Sequence, residues 1–95
     1  MPNTDEGFYN RADAHIDLAN RQLSETEGKG KVSASFMYGV ARFNAWVSAC
    51  GWQSADDMAK AREETLAYFV AEYRKMLEEN LDDYIEHFDD YMRPE

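Results

Sequence analysis

"EENLDDYIEHFDDYM", residues 78–92, decides how this chain is read. It carries seven acidic residues and neither Lys nor Arg. A tract that acidic is ordinarily a solvated tail. Yet Leu81, Tyr84, Ile85, Phe88 and Met92 recur through it at steps of three and four, the period of an amphipathic helix. The spacing predicts a helix with an apolar face about 120° wide and an acidic opposite side.

Working outward, no Gly or Pro interrupts residues 52–93. A continuous helix over 55–92 would be about 57 Å long at 1.5 Å per residue. Ser54 is a good N-cap, with Asp56 and Asp57 in the first turn. Lys60 with Glu64, and Lys75 with Glu79, form i,i+4 pairs. The apolar stripe is Met58, Thr65, Leu66, Phe69, Tyr73 and Met76. It does not continue in phase: Leu81, Ile85 and Phe88 centre about 100° further round the axis. Asn80, followed by Asp82 and Asp83, also reads as a helix start. The segment therefore either kinks near Asn80 or runs on and faces a different surface.

Two helices precede it. Phe8, Ala12, His15, Ile16, Ala19 and Leu23 mark the first, over about 4–25 with Asn3 or Thr4 as cap. "TEGKGK" (26–31) is the one clear loop, with Gly28 and Gly30 as breakers. The second helix, 32–50, is apolar nearly all round, from Val32, Phe36, Val40, Phe43 and Val47 to Met37, Trp46 and Ala49, as a central helix is. Gly51 is predicted as a left-handed C-terminal cap with Trp52 packing back on Val47. The expected fold is all-α: a single domain over 1–95, an antiparallel bundle of three helices (4–25, 32–50, 55–79). Its long acidic C-terminal helix becomes a fourth, 80–92, if it breaks near Asn80.

Ninety-five residues suffice for one domain with a modest core. Two Trp, six Tyr and five Phe favour folding over disorder. Of the net charge of −9, residues 78–95 hold eight acids against one base. Such a chain repels nucleic acid and anionic membranes, and any charged partner should be basic. Cys50 is the lone cysteine, so no intrachain disulfide forms, and the acidic N-terminus lacks a signal-peptide pattern. Both favour the cytoplasm. Residues 32–55 hold one charge, Arg42, but its position and the interspersed Ser, Asn and Gln side chains argue for a buried helix over a membrane span.

No catalytic constellation emerges, and no cofactor is expected. A di-iron bundle needs Glu-x-x-His, but Ala12 precedes His15 by three positions and Tyr84 precedes His87. Asp83 and His87, at i,i+4, are the one metal-ligand candidate pair, and a solvated acidic face explains them more simply. His15, Arg42 and Asn44 lie on mostly apolar helices, where polar groups must find partners. They are read as a buried polar network, with a small anion pocket as the alternative. Cys50 has no basic neighbour within six residues and does not start a helix, so it reads as a packed, inert thiol. "EGKGKVS" lacks the phosphate-loop pattern and a preceding strand.

Neither of the first two helices is long enough to cover a 57 Å third helix at 1.5 Å per residue, so about 20 Å of stripe would overhang. Leu81, Tyr84, Ile85, Phe88 and Met92 then form an apolar patch of the kind monomers avoid. Glu78/Asp82, Glu79/Asp83, Asp82/Glu86 and Glu86/Asp90 repel at i,i+4, each at roughly 0.2–0.5 kcal/mol. Burial of three or four of the apolar side chains, worth about 5 kcal/mol or more, outweighs this. The natural partner is a second copy, most simply a symmetric dimer.

"FYNRADAHIDLAN", "SASFMYGVARFNAW" and "YFVAEYRKMLEENLDDYIEHFDDYM" together resemble a family of small bacterial proteins of unknown function. The resemblance spans about residues 8–92 and implies a bacterial, cytoplasmic, all-helical protein, with no catalytic residues to carry over. Three readings follow. The leading one is a non-enzymatic helical protein that self-associates. The second binds a small ligand or metal through Arg42, Asn44 and His15, or through Asp83 and His87. The third is an acidic decoy presenting Glu79, Asp82, Asp83, Glu86 and Asp90 to a basic protein surface.

Overall fold

The structure, a computed structural model, describes residues 5–94. It is all-α, with no strand among the described residues. The helices are α1 (Phe8–Gln22), α2 (Lys29–Cys50), α3 (Ala55–Lys60), α4 (Arg62–Glu86) and α5 (Phe88–Met92). The chain divides between Met58 and Ala59, within α3, into two units.

In the unit that ends at Met58, α1 starts at Phe8 rather than at residue 4. Asp5 explains the late start. Its carboxylate accepts the Gly7 N–H at 3.0 Å and pairs with Arg11 at 3.1 Å, an Asx-type turn that competes with helix. Asn3 and Thr4, the expected caps, lie outside the described residues. At the other end Leu23 is extended. Ser24 then closes the loop, its Oγ accepting the Glu27 N–H at 3.0 Å and its N–H donating to the Glu27 carbonyl at 3.1 Å. The α1 helix therefore stops at Gln22, three residues before the expected end. By contrast α2 starts three residues early: Gly28 is its extended N-cap and Gly30 sits in its first turn, where a glycine breaks no interior hydrogen bond.

The two helices pack on each other. The His15 and Phe36 rings, equidistant from the loop, lie 6.4 Å apart, as in an antiparallel αα-hairpin. Val32 is buried, and Phe8, Ala12, Ala19 and Phe36 are half-buried. Gly51 is right-handed, not left-handed as expected. The end of α2 closes through bonds from Gly51 N–H to the Ser48 carbonyl and Trp52 N–H to the Ala49 carbonyl, at 3.0 and 3.1 Å. This tight closure satisfies the last carbonyls without a Schellman turn. Ser54 caps α3 as its position predicts, its Oγ accepting the Asp57 N–H at 3.1 Å.

In the unit that starts at Ala59, α3 gives way to α4 at Ala61, so the expected 55–79 helix is interrupted once. The α4 helix runs straight through Asn80, whose Nδ2 donates to the Met76 carbonyl at 2.8 Å. That bond satisfies the side chain within the helix, so it caps nothing. The break comes at His87 instead, with φ −116° and ψ 31°, and α5 follows. Lys75 pairs with Glu72 at 3.0 Å rather than with Glu79. A base four residues before an acid is the weaker orientation.

Candidate functional site

Two sides of α4 behave differently. Ala61, Thr65 and Phe69 are half-buried and Glu72 is buried, at steps of four, four and three. From Tyr73 to Pro94 every residue is exposed. The apolar stripe of this second stretch stands wholly uncovered: Ile85 is 73% exposed, Met92 55% and Leu81 52%. Tyr84 and Phe88 are exposed with them. At 3.6 residues per turn, Leu81, Tyr84 and Ile85 lie roughly 150° round the axis from the Ala61–Glu72 side. Glu79, Asp83 and Glu86 prolong the covered side as an acidic row. The sequence suggested a smaller offset because Tyr73 and Met76 were counted with the covered stripe, whereas both are exposed.

The break at His87 shapes the far end. It brings the Tyr91 hydroxyl to Asp83 Oδ2 at 2.9 Å, and the Tyr91 ring to 4.9 Å from Tyr84 and 6.0 Å from His87. Donation to the Asp83 carboxylate, helped by desolvation, raises the Tyr91 pKa. His87 nitrogens lie 3.6–3.9 Å from carboxylate oxygens of Asp83, Glu86 and Asp90. No group of three or more His, Cys, Asp or Glu among the described residues is placed to hold a metal ion.

Among the described residues His15, Arg42 and Asn44 are not brought together as a buried network. His15 and Arg42 are exposed and Asn44 is half-buried. Arg42 lies over the Tyr38 ring at 5.0 Å and donates to its hydroxyl at 3.4 Å, a cation–π contact in place of a buried ion pair. Within its unit α2 packs on α1, and Arg42 lies off that side. Cys50, expected to be packed, is exposed. Near the start of α2, Gln22, Glu27, Lys31, Val32 and Ser35 line a shallow depression of about 280 Å³, remote in sequence from Arg42 and His87.

Glu72 was not among the expected site residues. It is buried, Lys75 holds one oxygen at 3.0 Å, and Oε1 has no hydrogen-bond partner among the described residues. The Lys75 hydrogen bond lowers its pKa. Its place on the covered side, between Phe69 and Met76 in the heptad, was the signal available. No described helix is long and apolar enough to cross a membrane.

A family model described as "Protein of unknown function (DUF3144)" matches residues 8–85. The chain is similar to a solved structure, "NMR structure of the protein NB7890A from Shewanella sp". The two share 38% identity over 99% of each chain, with a TM-score of 0.77. No curated protein matches.

Proposed function

The chain belongs to the DUF3144 family of proteins of unknown function, and from that premise we propose that it is a non-enzymatic helical interaction protein that pairs with a second copy of itself. The interface is Leu81, Tyr84, Ile85, Phe88 and Met92. One observation carries this reading: the stripe is exposed along its whole length, on the side of α4 away from the covered residues. Covering it in a dimer would contribute about 5 kcal/mol or more per chain. That exceeds the like-charge cost along the segment, roughly 1–2 kcal/mol for four pairs.

In the same reading α1, α2 and the joined α3–α4 make a three-helix antiparallel domain, and the acidic end of α4 with α5 is its assembly arm. The Shewanella relative and the lone cysteine support a bacterial, cytoplasmic setting. Light scattering on the eluting protein at tens of micromolar tests the proposal. A dimer is expected, and Leu81→Asp/Ile85→Asp should elute as a folded monomer. A monomeric wild type would overturn it.

A further inference from the structure

We infer that the acidic arm of one copy docks on the outer face of α2 in the other copy, with Arg42 as the cationic anchor; this rests on the self-association proposed above. The α2 helix contains Lys29, Lys31 and Arg42 and no acidic residue. Lys31, Ser35, Tyr38, Arg42, Ala45 and Ala49 recur at alternating steps of four and three, the spacing of a helix-packing seam. All six are exposed. Tyr38, Arg42, Ala45 and Ala49 lie on the side of α2 away from Phe36, which contacts α1 through His15, while Lys31 and Ser35 border the depression beside Gln22 and Glu27. Ser35, Ala45 and Ala49 are small enough for a second helix to approach closely, and the exposed Trp46 ring borders the seam.

Charge selects the occupant. Arg42 has no carboxylate partner among the described residues; its stacking on Tyr38 holds the guanidinium in place and leaves most of its five donors for an incoming acid. On the arm, Asp82 and Asp89 border the Leu81–Ile85 stripe, and neither pairs with a Lys or Arg among the described residues. Between Met76 and Met92 there is no Lys or Arg at all. Pairing two arms directly would set acid against acid, a juxtaposition that costs several kcal/mol across an interface. Pairing arm with α2 sets acid against base, and two-fold symmetry makes the contact twice.

The test is a charge exchange between copies, read by sedimentation at low salt. Arg42→Glu and Asp82→Lys/Asp89→Lys alter exposed positions, and circular dichroism confirms that each variant keeps its helicity. Each alone should dimerise at least about tenfold more weakly than wild type. Mixed in equal amounts they should form a heterodimer within about threefold of wild-type affinity, since one contact is then native and the other reversed on both sides. If Arg42→Glu dimerises like wild type, or the double-lysine variant dimerises more tightly by itself, arm meets arm and this inference is overturned while self-association stands. A wild type that stays monomeric overturns the self-association proposal instead.

Discussion

The two halves of α4 share one unbroken helix and opposite fates. Up to Glu72 the less exposed side is built from Ala61, Thr65 and Phe69. Beyond it that side turns acidic, with Glu79, Asp83 and Glu86, while the apolar residues move to the other side. A helix that merely outgrew its neighbours would keep its apolar residues in one line. The change of side means that the second half is written for a different neighbour. In the proposed reading its uncovered Leu81, Tyr84 and Ile85, with Phe88 and Met92 of α5, are the interface for a second copy.

That contrast can be broken most severely in the second half. Leu81→Asp/Ile85→Asp should weaken dimerisation more than about a hundredfold, because two apolar side chains that the proposed dimer covers become charges. Helicity of the rest should remain, and sedimentation equilibrium beside circular dichroism checks both. In the α1–α2 hairpin the corresponding insult is Val32→Ala, at its one buried apolar side chain. It should lower stability by about 2 kcal/mol, seen as a lower urea midpoint with little change in dimer affinity once folded. Ser54→Ala removes the α3 cap and should cost about 1 kcal/mol in the same titration.

The smallest effect belongs to the end of the arm. Tyr91→Phe removes the hydrogen bond to Asp83, so amide exchange across Phe88–Met92 should quicken while α2 is unchanged. The sign of its pH dependence follows from the raised Tyr91 pKa. The neutral hydroxyl donates, so its contribution is complete below the ordinary tyrosine value and is lost as pH rises through the raised one. Wild type should lose protection of α5 at alkaline pH, and Tyr91→Phe should show no such loss through this group.

Much of this was legible in the sequence. Apolar periodicity fixed the all-α class, Ser54 marked a helix start, and the spacing of Leu81, Ile85 and Phe88 marked a face of its own. Of the two options at Asn80, a helix start or a helix that runs on to face another surface, the structure has the second: its side chain bonds back to Met76, which composition does not distinguish from a cap. The expected burial of His15 rests on the apolar arc of the first helix, and that of Arg42 and Cys50 on a second helix apolar nearly all round. Such a helix is buried only where neighbours surround it, and Arg42 lies off the side that packs on α1.

The central claim is that a second copy covers the stripe. The most direct measurement mixes isotope-labelled with unlabelled protein and records filtered nuclear Overhauser contacts between the two. Intermolecular contacts to the methyl groups of Leu81, Ile85 and Met92 are predicted, from aromatic protons of the other copy. If those methyls show contacts only within their own chain, in a protein that sediments as a monomer, the account is contradicted.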